Sequence, residues 1–326
     1  MLAFIVRRLV QSVIVMLAVS LIAFSLFRFV GDPAAIMLGQ EASLADRAAL
    51  RERLGLNDTL PTQFARFIGN AAQGEFGISY RLAQPVSALI VERLPATIEL
   101  AVTSAVLALI GGLCLGVYTA LRRDGLIANT IMTFSLIGVS LPTFLTGIAL
   151  IYIFAVELQW LPSFGRGQTV IVNGWRTGFL TVSGIKSLIL PAITLALYQL
   201  TLIMRLVRAE MLEVLRTDYI KFARARGLPD RAVHFGHALK NTLVPVITVM
   251  GLQLGSVIAF SIITETVFQW PGVGSLFVNS VQSVDIPVMA AYLMFVALVF
   301  VALNFIVDVL YFIVDPRLHV ARRKSL

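Results

Sequence analysis

Residues able to make or break bonds are sparse in this chain, and the densest group of them is arranged for contact and charge. It runs from Asp218 to Pro245, DYIKFARARGLPDRAVHFGHALKNTLVP. Helical spacing over Asp218–Arg226 puts Tyr219, Phe222 and Ala223 on one face and Asp218, Lys221 and Arg224 on another. Gly227 follows where a helix commonly ends in a left-handed residue, and Pro229 with Asp230 starts a second helix. A short helix closed by a tight turn is a rigid basic knob, and two uses suit it. Its aromatics rest in lipid headgroups while its cations bind anionic lipid, or its aromatic ridge docks into a groove on a cytosolic partner with the charges as an orienting rim.

Other polar residues lie within apolar runs, where each is a signal. Gln253, Ser256, Phe260 and Thr264 share a helical face and are candidate lining of a substrate path; the alternative is back-bonding of Ser and Thr to helix carbonyls and a helix contact for Gln253. Glu265 and Asp308 are carboxylates within spans, which face a partner or water. Glu265 is placed near the Trp270-Pro271-Gly272 turn as an external gate with Trp270, and Asp308 near the inner end as a structural ion-pair partner. His234 and His237 share a helix face, but two imidazoles beside arginines make no transition-metal site, so no metal ligand is assigned. No constellation for catalysis and no glycine-rich phosphate loop ending in Gly-Lys-Ser/Thr occurs. The chain is read as no enzyme and without a cofactor of its own.

The elements that carry these residues follow from composition. Of 326 residues 58% are hydrophobic and 13% charged, with net charge +8; a soluble domain has about 25% charged residues. Lipid is therefore the main solvent, and the basic excess reads as topology and membrane-surface charge, not nucleic-acid binding. The single cysteine, Cys114, provides no disulfide framework. Six runs reach the roughly 20 residues needed to cross hydrocarbon as helix: residues 9–30, 96–121, 129–155, 187–207, 243–267 and 288–314. The first is too long for a signal-peptide core. Lys and Arg cluster at Arg7 and Arg8, Arg122 and Arg123, Arg205–Lys240, and Arg317–Lys324. That side is cytoplasmic, and both termini lie there.

The expected organisation is an N-terminal segment and first span (1–30), an external helical insertion (31–95), a transmembrane core (96–316) containing the cytoplasmic loop 208–242, and a basic tail (317–326). Within the insertion, Leu44–Leu54 and Gln63–Ala71 read as short helices, and Pro85–Leu94 as a third with Pro95 as its stop. The fourth span continues through Arg205–Leu215 because no breaker intervenes. Pro142 interrupts the third span, while Pro191 and Pro245 lie near the starts of the fourth and fifth. The pairs Gly112/Gly116 and Gly251/Gly255 are read as close-packing positions.

Several ordered motifs resemble the permeases of binding-protein-dependent ABC importers, especially the peptide group. They are RRL at 7–9, GDPA at 31–34, RLGLND at 53–58, FGISY at 76–80, ERLPATIEL at 92–100, ARARG at 223–227, HALKN at 237–241, FQWPGVG at 268–274, and VDVLY with DPR near the end. Lys221-Phe222-Ala223 departs from the Glu-Ala-Ala of the general loop pattern, while Gly227 and Leu243-Val244-Pro245 keep its glycine and its ending. The resemblance implies an all-α integral membrane protein with six transmembrane helices, the type I ABC importer permease fold, in the bacterial cytoplasmic (inner) membrane. It further implies a homologous second permease subunit, two cytosolic ATP-binding subunits holding ATP and Mg, an external solute-binding protein, and a small peptide, glutathione or nickel as cargo. On this reading Asp218, Tyr219, Lys221, Phe222, Ala223, Arg224 and Gly227 couple the chain to the ATPase. Two other classes stand beside it: an ion-gradient-driven secondary transporter using Glu265 or Asp308, and a membrane scaffold without transport.

Overall fold

A computed structural model describes residues 2–29, 38, 43–53 and 55–314. The GDPA segment and the basic tail from Arg317 lie outside the described residues. The chain divides into two compact units, Met1–Thr97 with Pro271–Ala302, and Ile98–Trp270 with Leu303–Leu326.

The first unit begins with α1 (Leu2–Phe29), followed by α2 (Leu44–Arg53) and α3 (Leu60–Ala72). The two short helices expected in the insertion are therefore present. Helix α3 turns Phe67 and Ala71 toward a core shared with Ala23 and Phe27 of α1 and with Ala290 and Met294. Phe24 meets the rings of Phe64 and Phe67, at 5.5 and 6.0 Å between centroids. Ser79 and Asp285 close the unit. Asp285, at the head of α11 (Ile286–Val314), accepts hydrogen bonds from the Ser79 hydroxyl and the Tyr80 N–H, and both Ser79 and Asp285 are buried. The FGISY segment is thereby tied to the start of the last helix.

Helix α4 (Val86–Leu121) overturns one expectation: it runs 36 residues straight through Pro95. The Pro85–Leu94 stretch is not a separate external helix but the first turns of the second span, and the 95/96 boundary falls inside it. Proline removes one helical hydrogen bond and strains the turn before it. Here Val86, Leu89, Ala96 and Leu100 are buried on both sides of it, and that packing holds the helix together across the break. Pro191 and Pro245 likewise lie inside helices, α7 (Val182–Val214) and α9 (Leu239–Val267), which begin earlier than the apolar runs do.

Among the described residues four helices are long and apolar enough to cross a membrane, or up to six spans if each of two bent pairs counts as one. The first pair, α5 (Leu126–Ser140) and α6 (Thr143–Leu150) with its π-helical continuation Ile151–Glu157, bends by 112° at Pro142, as its proline predicts. The second bend, 51°, lies within α9 between Gly251 and Gly255, past Pro245. Gly112 and Gly116 are packing positions against α7: a Cβ on Gly116 would stand 2.8 Å from the Met204 carbonyl and 2.7 Å from Val207 Cβ. Gly251 packs the same way against Val307.

Among the described residues one hairpin breaks the helical pattern. Val170–Val172 (β1) and Trp175–Thr177 (β2) pair antiparallel about Asn173-Gly174, both with positive φ. Asn-Gly between apolar residues is the strongest short hairpin signal in sequence, so this hairpin was readable. The last short helix, α10 (Val273–Gln282), starts after Gly272, and the Thr97 hydroxyl accepts from the Val273 N–H at 2.8 Å.

Gly116→Leu is expected to lower stability by about 1–3 kcal/mol through overpacking against α7. Gly69→Ala, with open space around its Cβ, leaves stability near wild type. Thermal melts of the two purified variants measure the difference.

Candidate functional site

Helix α7 continues past the apolar stretch to Val214, as its lack of a breaker predicts, and a hydrogen-bonded turn (Arg216 N–H to Glu213, Thr217 N–H to Val214) redirects the chain. The knob helix α8 (Asp218–Ala225) then begins, with the Thr217 carbonyl accepting from Ile220 and Lys221. Its end is a complete Schellman motif: Gly227 N–H donates to Arg224 and Leu228 N–H to Ala223, at 2.9 and 3.4 Å. Gly227 has φ +79° with nothing near its missing Cβ, so backbone conformation and not space demands glycine. After Pro229 the chain re-enters helix and makes a π-helical turn, Ala232–Ala238, before α9.

The knob is anchored by Ile220 and Ala223, both buried in a core with Val207, Met211, Val233 and Ala238. Ala223 therefore faces inward, away from the ridge on which spacing had put it, because residue 223 follows Ile220 by three and the buried face wins. The exposed ridge is Tyr219 and Phe222, the latter 64% exposed. Tyr219 is braced from the side: its hydroxyl lies 2.8 Å from His237 Nδ1 and the two rings meet edge-on. Asp218 and Lys221 pair at 2.8 Å on the outer surface, the shared charged face that spacing predicts. Arg224 separates from them and lines a cavity with Arg122, Arg216 and His234.

At the other end of α9 the structure joins residues that the sequence reading kept apart. Glu99 and Arg166 form a buried ion pair, Nη2 to Oε2 2.6 Å and Nε to Oε2 3.2 Å, with side chains 3% and 6% exposed. Gly178 N–H donates to Glu99 Oε1 at 3.2 Å, and Arg166 Nη2 also donates to the Arg176 carbonyl at 2.7 Å. The Arg166 guanidinium stands 5.9 Å from the Trp270 ring centre. Trp270 N–H donates to the Glu265 carbonyl at 2.8 Å, and Gly165 N–H donates to Phe268. The proposed gate residues Glu265 and Trp270 are thus adjacent through the backbone, and both are buried. Ser261 donates to Glu265 Oε1 at 3.3 Å, while the buried Thr264 hydroxyl has no hydrogen-bond partner among the described residues.

Glu99 and Arg166 were missed, although a signal existed. Glu99 is a carboxylate inside an apolar run, which demands a cation or donors nearby, and Arg166 is one of only three Lys or Arg residues between 165 and 186. Asp285, also missed, has the same kind of signal beside Ile286.

The candidate path residues do not form one stripe. Gln253 falls in the 51° bend, while Ser256, Phe260 and Thr264 lie in the segment beyond it. Ser256 is half-buried, Phe260 is 64% exposed and Thr264 is buried. Spacing had assumed a straight helix.

Residues 112–320 match the family described as the binding-protein-dependent transport system inner membrane component, and residues 1–101 match its N-terminal membrane component. The chain belongs to this family. The permease is 39% identical to the di/tripeptide transport system permease protein DppB of Pseudomonas aeruginosa, over 98% of this chain and 99% of that one. It is 40% identical to the oligopeptide transport system permease protein AppB of Bacillus subtilis, over 98% and 99%. Its fold resembles a chain of the MetNI methionine ABC transporter in an inward-facing conformation, with TM-score 0.53, 20% identity, 70% of this chain and 96% of that one. It is a multi-pass inner-membrane transport subunit of the ABC importer class and not an enzyme, and it works with a partner ATPase and a substrate-binding protein.

In the permease, Glu99→Ala is expected to cost about 3–5 kcal/mol, because Arg166 remains buried without its carboxylate. Replacing both residues by apolar ones of similar size costs much less than the sum of the single changes. A double-mutant cycle on thermal stability of the purified permease checks this coupling.

Proposed function

We propose that this permease carries small peptides across the inner membrane by alternating access, driven by ATP hydrolysis on two cytosolic subunits that dock on α8, with a homologous permease as its membrane partner and an external protein delivering cargo. Peptides are preferred to glutathione or nickel because the di/tripeptide and oligopeptide permeases are its relatives at about 40% identity over nearly the full length. Loop charge favours an orientation with the knob and both termini in the cytoplasm. ATP and Mg belong to the partners.

The observation that carries the coupling role is the construction of the knob. Buried Ile220 and Ala223 join α8 to α7 and to the turn that leads into α9, so force on the exposed Tyr219–Phe222 ridge moves two spanning helices together. A rigid lever of this kind lets closure of an ATPase dimer bias a bundle between inward-open and outward-open states. Asp218 and Lys221 supply the orienting rim. At the far end, Glu265 and Trp270 with the Glu99–Arg166 pair are assigned to the outer gate, and Ser256, Phe260 and Thr264, with Gln253 at the bend, to the path beside it. The bend between Gly251 and Gly255 lies between knob and gate, where a hinge is needed.

In proteoliposomes holding the whole complex, Gly227→Val is expected to cut peptide uptake and peptide-stimulated ATPase at least tenfold with membrane insertion intact. A β-branched residue at φ +79° costs upward of about 1–2 kcal/mol and breaks the turn that sets the knob. Phe222→Ala is expected to weaken ATPase binding with the fold unchanged. Wild-type uptake in Gly227→Val supports a scaffold, and uptake that persists without the ATPase but collapses with an uncoupler supports a secondary transporter.

A further inference from the structure

The cavity at the root of the knob, about 480 Å³, is separate from the docking ridge. Its cations come from two places far apart in sequence: Arg122 and Arg123 in the turn after α4, and Arg216 and Arg224 at the knob, with the His234 ring beside them. The one carboxylate lining it, Asp124, is 3.1 Å from Arg123 Nε, so one guanidinium is already compensated. Among the described residues, the guanidinium groups of Arg122, Arg216 and Arg224 meet no carboxylate and no hydrogen-bond acceptor. All three are exposed to water, which screens their repulsion, and together they give one concavity a positive potential that draws an anion.

We propose that this cavity is a phosphate-ester site that holds the headgroup of an anionic phospholipid of the inner leaflet. Guanidinium forks match phosphate oxygens in pairs, which ammonium groups do not. Leu121, Leu212 and Leu215 also line the cavity, apolar surface that suits an anion carrying hydrocarbon. It lies where α4 and α7 end. Beside it, at the start of α5, Leu126 is 84% exposed and Ile127 62%, an apolar surface that acyl chains cover. Basic pockets between spanning helices at the cytoplasmic face are suited to anionic headgroups. A lipid held there bridges the α4–α5 turn to the knob, so occupancy sets how firmly the lever is fixed to the bundle. This rests on the orientation proposed above, with the knob in the cytoplasm.

The test uses the complete complex in neutral detergent, stripped of lipid and titrated with dioctanoyl-phosphatidylglycerol, dioctanoyl-phosphatidylcholine or inorganic phosphate, with binding read by native mass spectrometry. Phosphatidylglycerol is expected to bind and phosphatidylcholine not. Arg122→Gln with Arg216→Gln is expected to weaken phosphatidylglycerol about tenfold or more, while Arg122→Lys with Arg216→Lys, which keeps both charges but loses the forks, weakens it less than the glutamine pair and controls for folding. Equal retention of the two lipids, or undiminished binding in the glutamine pair, overturns the proposal. Saturation by phosphate at concentrations where the lipid does not compete assigns the site to a free anion, and displacement of lipid by an acidic peptide of the ATPase subunit assigns it to that partner; either outcome also overturns it. Orientation is read separately, by labelling Asp124→Cys in a Cys114→Ser background from one side of sealed vesicles. Labelling from outside refutes the orientation whatever the lipid result.

Discussion

Hydrocarbon offers no hydrogen-bond partner, so every backbone N–H and C=O that enters it must be satisfied within the protein. The rest of the permease depends on this constraint. It makes the spans helical and lets α4 continue through Pro95, where stopping would expose several unpaired groups and continuing loses one. The same demand applies to side chains. Glu99 and Arg166 are buried together because neither is affordable alone, and Gly178 and the Arg176 carbonyl take up much of their remaining bonding capacity.

Polarity is consequently concentrated where the helices end, and the two ends of α9 are built differently. At one end, paired charges and an aromatic ring knit loop to helix into a closed cluster: Arg166 joins Glu99, the hairpin and Trp270. At the other, cations are left uncompensated and a short helix presents an exposed aromatic ridge while its inner face is locked in a core. The first construction suits a surface that must close, the second a surface that must be gripped. Between them the helix bends near a pair of glycines, one of which packs against Val307. Close packing and bending are compatible there, since a residue without a side chain allows both.

Much of this was legible in the residues. Apolar run lengths showed six membrane passages, Pro142 its bend, Gly227 its left-handed turn, and the spacing of Asp218 and Lys221 their shared face. These are local properties: hydrophobic length, the fixed φ of proline and the steric freedom of glycine act over a few residues and need no distant partner. The Asn173-Gly174 hairpin belongs to the same class and was simply passed over, because the surrounding composition pointed everywhere to helix.

What tertiary structure decided is pairing and the direction in which a helix turns its faces. Sixty-seven residues separate Glu99 from Arg166 and about two hundred separate Ser79 from Asp285, and no periodicity connects them. Ala223 faces the core because Ile220, Met211 and Val233 are there to receive it. Arg224 leaves its neighbours to line a cavity with Arg122 because two chain segments converge, and Gln253 leaves the stripe because α9 bends. A sequence in lipid states which segments must be helical, since hydrocarbon penalises any unpaired backbone group wherever it occurs. It does not state which helix faces meet, because burial among other helices and exposure to lipid are nearly equivalent to an apolar side chain, and only the few polar groups, once brought together, distinguish one arrangement from another.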